Sequence, residues 1–276
     1  MTHVLGAFPQ IMGVVNVTPD SFSDGGTYID PERAVAHGLQ LLEEGADILD
    51  IGGESTRPGA RAVSVEEELA RVVPVIEGLA GKARWISIDT RNSKVMEAAI
   101  EAGANIINDV SGLTHDLRSV EVAAAASCPV ILMHAQGTPV DMQENPNYNN
   151  VVSEVYSWLE SRIKFCETHR IDAEMLVVDP GIGFGKMLEH NLLLLRNIRE
   201  FSGLGVPTML GTSRKSFIAD VCGASEPGER LGGSLSSVLW GLSQGVQLFR
   251  VHDVAETRQA MDVYKAILES DAVGAE

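Results

Sequence analysis

The sequence predicts an α/β protein of the (β/α)8 TIM-barrel class, one domain spanning residues 1–276 with short frayed tails at both ends. Three observations predict it. Apolar runs of about four to six residues, rich in β-branched side chains, recur along the chain as strands buried on both faces do. Each run is followed by a loop and then by a stretch with helical apolar spacing. No Pro-, Gly- or Ser-rich linker divides the 276 residues.

The elements follow in order. "QIMGVVN" (10–16) is the first strand, and "NVTPDSFSDGG" (16–26) leaves it as a loop of turn formers. "PERAVAHGLQLLEEGA" (31–46) is a helix, with Asp30 as its cap and Pro31 at its first position. "DILDIGG" (47–53) leads through "ESTRPGARAV" to "SVEEELARVVPVIEGLAG" (64–81), where Ser64 stands three residues before Glu67 in capping-box spacing. "RWISIDT" (84–90) precedes the helix "SKVMEAAIEAGA" (93–104), and "NIINDV" (105–110) precedes "LRSVEVAAAAS" (117–127). "PVILMHA" (129–135) is followed by a long loop and then by "VVSEVYSWLESRIKFCETH" (151–169). "MLVVDPG" (175–181) pairs with "EHNLLLLRNIREF" (189–201), "PTMLGTS" (207–213) with "ERLGGSLSSVLWGLSQG" (229–245), and "VQLFRVH" (246–252) with "DVAETRQAMDVYKAILES" (253–270). The expected count is eight strands and eight helices in strict alternation. The longest irregular segments, 16–28, 52–63 and 136–149, all follow strands, which is where such barrels carry their catalytic face.

Composition sets outer limits. The chain is 45% hydrophobic and 21% charged, as for a protein with a sizeable core. A formal net charge of −17 argues against unspecific binding to nucleic acid or to anionic membranes. Cys128, Cys166 and Cys222 have neither metal-ligand spacing nor an even count, so they are expected to be buried thiols in a reducing cytoplasm. The N-terminus lacks the basic-then-apolar pattern of a signal peptide, and no apolar run reaches the ~20 residues of a membrane span.

The strand ends carry the chemistry. Asn16, Asp50, Asp89, Asn108, Asp109, His134, Asp179, the segment "TSRKS", Arg250 and His252 all fall there. A lone Asp after a strand can be the N-cap of the next helix. Eight strands that each deliver a polar group to one rim point instead to an enclosed polar ligand, because buried polar groups need partners. Thr56, Arg57, Arg250 and His252 suit phosphate oxygens, and Asn16 offers a neutral oxygen suited to Mg2+ beside phosphate and water. Ser216 and the backbone N–H groups at "RKS" could receive a carboxylate or phosphate at a helix start. Asp89, Asn108, Asp179 and Lys215 form a second, mixed set that suits a planar heterocycle with adjacent N–H donors.

"IMGVVNVTPDSFSDGG", "DIGGESTRPGA", "SIDT", "INDVSG", "LVVDPGIGFGK", "GTSRKSFI" and "RVHDV" together resemble the dihydropteroate synthase family, from about residue 10 to residue 268 and in the family's order. The resemblance implies a cytoplasmic (β/α)8-barrel homodimer of folate biosynthesis. It would join 6-hydroxymethyl-7,8-dihydropterin diphosphate to 4-aminobenzoate with Mg2+, giving 7,8-dihydropteroate and diphosphate. Carried over by motif, Asp179 takes the pterin's ring N–H and amino group. Asp89 and Asn108 read the remaining edges, Lys215 contacts the ring from the other side, and Arg250 lies over its face. Met133 and Phe184 are pocket walls, although Met133 also reads as apolar core. Asn16, Thr56, Arg57, Arg250 and His252 hold the diphosphate, with Asn16 on the metal. Ser216 binds the aminobenzoate carboxylate, Phe22 and Pro58 flank its ring, and Asp24 helps to order the loop. Asp50 fits the pattern in either a direct or a supporting role.

The implied chemistry needs no covalent nucleophile, in keeping with the lack of a Ser–His–Asp or Cys–His constellation. Departure of diphosphate from the CH2 group leaves a cation delocalised into the dihydropterin, and the arylamine then attacks. A pterin-binding methyltransferase acting between methyltetrahydrofolate and a corrinoid would share the barrel and the pterin-holding Asp and Asn. It would have no use for "TPDSFSDGG", "STRPG" or "SRKS". A non-catalytic pterin-binding protein would be marked by loss of Asn16, Arg57, Lys215 or His252, and all four are present. The resemblance also implies inhibition by sulfonamides.

Overall fold

In the computed structural model, residues 4–7, 9–18, 30–55, 63–137, 142, 144, 146–223 and 226–270 are described. Eight parallel strands alternate with helices: β1 Gln10–Asn16, α1 Pro31–Glu43, β2 Ile48–Gly52, α2 Val65–Leu79, β3 Ile86–Asp89, α3 Ser93–Ala102, β4 Ile106–Asp109 and α4 Ser119–Ala126. The chain continues through β5 Val130–Met133, α5 Val151–Thr168, β6 Leu176–Asp179, α6 Leu188–Arg196, β7 Met209–Leu210, α7 Ser216–Cys222, α8 Leu231–Ser243, β8 Leu248–Val251 and α9 Val254–Glu269. The expected strict alternation fails once. The described residues hold two helices after β7, because the "RKS" segment starts the short α7 before α8 packs on the barrel.

Local chemistry accounts for the helix starts. Asp30 Oδ1 accepts the N–H groups of Glu32 (2.9 Å) and Arg33 (3.4 Å), and Pro31 follows it. Ser64 Oγ accepts the N–H of Glu67 at 3.2 Å, but the Glu67 carboxylate pairs with Arg71 one turn later. Helix α2 runs through Pro74, which has no N–H to offer the carbonyl of Ala70.

The strands pair in the order β6-β5-β4-β3-β2-β1-β8-β7. Between β6 and β7 the barrel closes through the Val178–Thr208 bridge, where the Val178 N–H meets Pro207 O at 2.9 Å. Residues directly opposed in a parallel pair face the same side of the sheet, so the register sorts every side chain. One set packs outward against the helices and includes Ile51, Ile88, Ile107, Leu132 and Val178. The other fills the barrel: Met12, Ile48, Ile106, Ile131, Val177, Met209 and Leu248, with Leu5 closing the N-terminal end. Gln10 Nε2 holds Leu5 there through its carbonyl at 2.9 Å. Truncating one of these fully buried Ile or Leu side chains to Ala would cost about 2–5 kcal/mol.

Two residues above this apolar plug, the inward positions turn polar. Asp50 lies opposite Ser87, Asp89 opposite Asn108, and Met133 opposite Asp179. Arg250 lies opposite Met12 on β1. The two strand-end groups at odd register face away from this interior. Asp109 lies opposite Leu132 of the outer layer and caps its own turn, accepting Ser111 N and Oγ at 2.7 Å and Leu113 N at 3.1 Å. His134 follows the inward Met133. The expectation that every strand end feeds one rim is thereby corrected at Asp109 and His134.

Cys128 and Cys166 are buried thiols, whereas Cys222, at the end of α7, is exposed, against expectation. Among the described residues no helix is long and apolar enough to cross a membrane.

Candidate functional site

A cleft at the C-terminal ends of the strands is lined by Asp89, Asn108, Val110, Met133, Asp179, Phe184, Met209, Gly211, Ser213, Lys215, Arg250 and His252. A larger and more open hollow beside Tyr148, His190 and Glu200 lies between the start of α5 and α6 and contains none of the strand-end groups. The cleft brings together eight of the residues singled out from sequence: Asp89, Asn108, Met133, Asp179, Phe184, Lys215, Arg250 and His252. Asn16 ends β1 opposite Gly52, which in turn pairs with Asp89. Ser216 opens α7 and is exposed, next to Lys215 but not on the cleft wall. Phe22, Asp24, Thr56, Arg57 and Pro58 lie outside the described residues.

Acidic and basic groups interlock across the floor. Arg250 Nε meets Asp50 Oδ2 at 2.6 Å and its Nη2 meets Asp89 Oδ2 at 2.7 Å. Asp50 also accepts the amide of Asn108 at 3.2 and 3.3 Å. This answers the question its sequence position left open: Asp50 is fully buried and absent from the cleft wall, and it holds two residues that reach that wall. Asp179 Oδ1 accepts the Gly181 N–H at 2.7 Å. Lys215 donates to Ile182 O, and its ammonium sits 4.6 Å from the centre of the Phe184 ring, a cation–π contact. His252 Nδ1 lies 3.0 Å from Ser213 Oγ, which also accepts the His252 N–H at 3.1 Å. Arg214, in the left-handed region at φ 59, pairs with Asp253 and so ties the β7 loop to the start of α9.

Burial dominates the electrostatics. It raises Asp89, whose carboxylate Arg250 favours and Asp50 opposes. It raises Asp179 too, against the pull of Lys215, the Gly181 N–H, Lys186 and Arg250. Burial lowers Lys215 to about 8, with Asp179 resisting. Arg250 stays firmly charged, since Asp50 and Asp89 outweigh its desolvation. The result is a slot with carboxylate acceptors on one edge, a lysine donor on another, and Met133, Val110, Phe184 and Met209 as walls. Such a slot suits a flat heterocycle carrying adjacent N–H donors and a carbonyl acceptor.

Two polar groups next to the cleft have no distinguishing mark in the sequence. Ser213 sits in "GTSRK", but nothing in the motif says that its hydroxyl orients His252. Lys186 in "GFGK" is buried behind the cleft wall, and sequence alone does not separate a lysine that reaches a site from one that lies behind it.

Residues 12–252 match the family described as "Pterin binding enzyme". The chain is 47% identical over 263 residues to the dihydropteroate synthase of Escherichia coli (strain K12), covering 95% of this chain and 93% of that one. Among solved structures it resembles Xanthomonas albilineans dihydropteroate synthase with 4-aminobenzoic acid, with a TM-score of 0.89, 49% identity, and coverage of 95% of this chain and 93% of that one. It is equally close in fold to the Yersinia pestis dihydropteroate synthase with a sulfonamide drug complex: TM-score 0.89, 42% identity, 95% of each chain covered.

Proposed function

The chain belongs to the dihydropteroate synthases, a family of pterin-binding transferases, and from that premise we propose how its own residues perform the reaction. The substrates are 6-hydroxymethyl-7,8-dihydropterin diphosphate and 4-aminobenzoate, and the products are 7,8-dihydropteroate and diphosphate, in folate biosynthesis. The observation that carries the reading is the convergence of Asp89, Asn108, Asp179, Lys215 and Arg250 on one narrow slot.

Asp179 accepts the pterin's ring N–H and amino group as a pair, while Asp89 and Asn108 meet the other edges. Lys215 donates to the ring carbonyl and nitrogen. Arg250, with two carboxylates holding its edge, presents its face to the ring. The bond from the CH2 carbon to the bridging diphosphate oxygen breaks first, and the electron pair leaves with diphosphate. The carboxylates of Asp89 and Asp179 favour the positive charge that develops on the ring. The arylamine nitrogen then bonds to the CH2 carbon and releases its proton. Arg250 and His252, joined by Thr56 and Arg57, hold the departing oxygens.

One neutral oxygen donor at the rim is compatible with Mg2+. Asn16, at the end of β1, would hold the ion through its neutral side-chain oxygen, a hard donor that leaves the other positions to phosphate oxygens and water. When bound, it neutralises charge on the diphosphate. Ser216 and the start of α7 receive the aminobenzoate carboxylate, with Phe22 and Pro58 along its ring and Asp24 in the assembled loop. Aminobenzoate therefore binds after the diphosphate. The same subsite makes the protein a sulfonamide target, a reading supported by the Yersinia relative.

The protein acts as a cytoplasmic homodimer. Apolar side chains left exposed on the last helices, Trp240 on α8 and Val263, Ile267 and Leu268 on α9, support that assembly. The test is to mix the purified protein with both substrates and Mg2+ and to measure diphosphate. Release that depends on aminobenzoate is expected, and release indifferent to it would overturn the synthase reading. Tight aminobenzoate binding to the unliganded protein by calorimetry would overturn the binding order.

A further inference from the structure

Lys186 is 2% exposed, and its ammonium meets three acceptors from two loops. It lies 3.0 Å from His134 Nδ1, 3.3 Å from His134 O and 3.0 Å from Phe184 O. The loop that it anchors, between β6 and α6, packs backbone against backbone on the end of β5. A Cβ on Gly181 would fall 1.9 Å from His134 O, and one on Gly185 2.2 Å from Gln136 O. Asn191 grips the same loop, accepting the Gly183 N–H at 2.7 Å and donating to Lys186 O at 3.3 Å. The loop gives the cleft its Phe184 ring, offers the Ile182 carbonyl to Lys215, which also packs on that ring, and supplies the Gly181 N–H that fixes Asp179.

We propose that Lys186 is a positioning residue for pterin recognition: from behind the cleft wall it pins the β6–α6 loop to the end of β5 and thereby sets Phe184, Lys215 and Asp179 in place. This rests on reading the cleft as the pterin site. Lys186 has no contact with the cleft space, so its influence passes through those three residues.

Lys186 also acts on Asp179 at a distance. The ionisable groups that face it are His134 at the end of β5, Asp179 of β6 and Lys215 before α7. Burial, reinforced by the neighbouring ammonium, lowers His134 to about 3, so the ring is neutral and its charge does not compete. Burial brings Lys186 to about 7, against the pull of Asp179. On the acid side of neutrality Lys186 is therefore an ammonium that favours the Asp179 carboxylate, along with Lys215 and Arg250. A lysine that merely filled space would leave the titration of Asp179 unchanged.

The experiment compares wild type with Lys186→Met in steady-state kinetics over pH, and in calorimetric binding of 6-hydroxymethylpterin. Losing a charge-assisted anchor should raise the pterin diphosphate KM by about tenfold or more, with the aminobenzoate KM within about twofold. The acid limb of kcat/KM for the pterin substrate should move to higher pH. If both KM values and the acid limb match wild type while only the melting temperature falls, the positioning role is overturned. Should Lys186→Met fail to fold, His134→Leu removes one of the three partners and keeps the ammonium. It should raise the pterin KM by about threefold, again sparing aminobenzoate, and an unchanged KM there overturns the proposal equally. A wild-type protein with no aminobenzoate-dependent diphosphate release would instead refute the reaction. The calorimetric comparison would still decide the role of Lys186.

Discussion

Arg250 and Asp50, 200 residues apart in the chain, meet at 2.6 Å inside the barrel, where Asp50 is fully buried and the arginine side chain keeps 22% of its exposure. The pair couples the last strand to the second, and the same carboxylate carries Asn108 of the fourth. Asp50 therefore acts as a hub that orients two groups on the cleft without lining it.

Asp50→Asn breaks this hub. Arg250 keeps Asp89, but its Nε and the Asn108 amide must then share one neutral acceptor oxygen, and the new NH2 faces one of these two donors. Unfolding in denaturant should show a loss of about 3 kcal/mol, the usual scale for removing one member of a buried pair. The pterin KM should rise with it, by about tenfold. Native stability together with native kinetics would show that Asp89 alone holds Arg250.

Asp179→Asn tests the proposed pterin partner directly. One carboxylate oxygen already accepts the Gly181 N–H, so an asparagine that keeps this bond turns its NH2 toward the pterin's own donors. Calorimetry should show pterin affinity lower by about 100-fold, equivalent to ~3 kcal/mol. The fold should persist, because the loop contact survives. Retained affinity would move the recognition role to Asp89.

What was legible in the sequence was what periodicity and motif can carry. Unbroken apolar runs such as "QIMGVVN" gave β1 to the residue, because a strand buried on both faces needs apolar side chains at every position. The β7 region was harder. Its run "PTMLGTS" forms a strand of only Met209–Leu210, since Gly211 and the residues after it belong to the cleft and its loop rather than to the ladder. Asp89 and Asp109 look alike as strand-end carboxylates. Only the register shows that one faces the cleft while the other caps its own turn. His134 and Lys186 were illegible for a related reason. Their partnership depends on two loops meeting in space 52 residues apart, and no local pattern encodes that meeting.

The pH profile follows from the cleft carboxylates and Lys215, which have opposite requirements: burial brings Asp89 to about 7, so its protonation contributes to the acid limb alongside that of Asp179. Asp179 must be ionised to accept from the pterin. Burial raises its pKa above the ordinary 3.8, so kcat/KM should begin to fall on the acid side at a pH higher than a solvated Asp would give. Lys215 must be protonated to donate. Burial lowers it from 10.5 to about 8, so kcat/KM should fall again as pH rises through about 8. Lys215→Arg, which stays charged, should lower the plateau but carry the alkaline limb upward. An alkaline limb that stays near 8 in that variant would belong to another group.

Gly181→Ala and Gly183→Ala separate backbone packing from side-chain crowding within one loop. Both glycines have positive φ, +71 and +85, where any Cβ is strained by about 1–2 kcal/mol. At Gly183 the nearest obstacle is Lys215 Cδ at 3.3 Å, a flexible stem that can yield. At Gly181 it is the His134 carbonyl, with the oxygen at 1.9 Å and the carbon at 3.0 Å, and backbone cannot yield without moving β5 or the loop. Gly183→Ala should therefore lose about 1–2 kcal/mol in denaturant unfolding, and Gly181→Ala at least about 3 kcal/mol. Pterin binding, measured at a temperature where both variants are folded, should fall further in Gly181→Ala, because the displaced N–H is the one that fixes Asp179. Equal losses in the two variants would show that the loop is not seated against the end of β5, and the anchoring of Asp179 would have to be sought elsewhere.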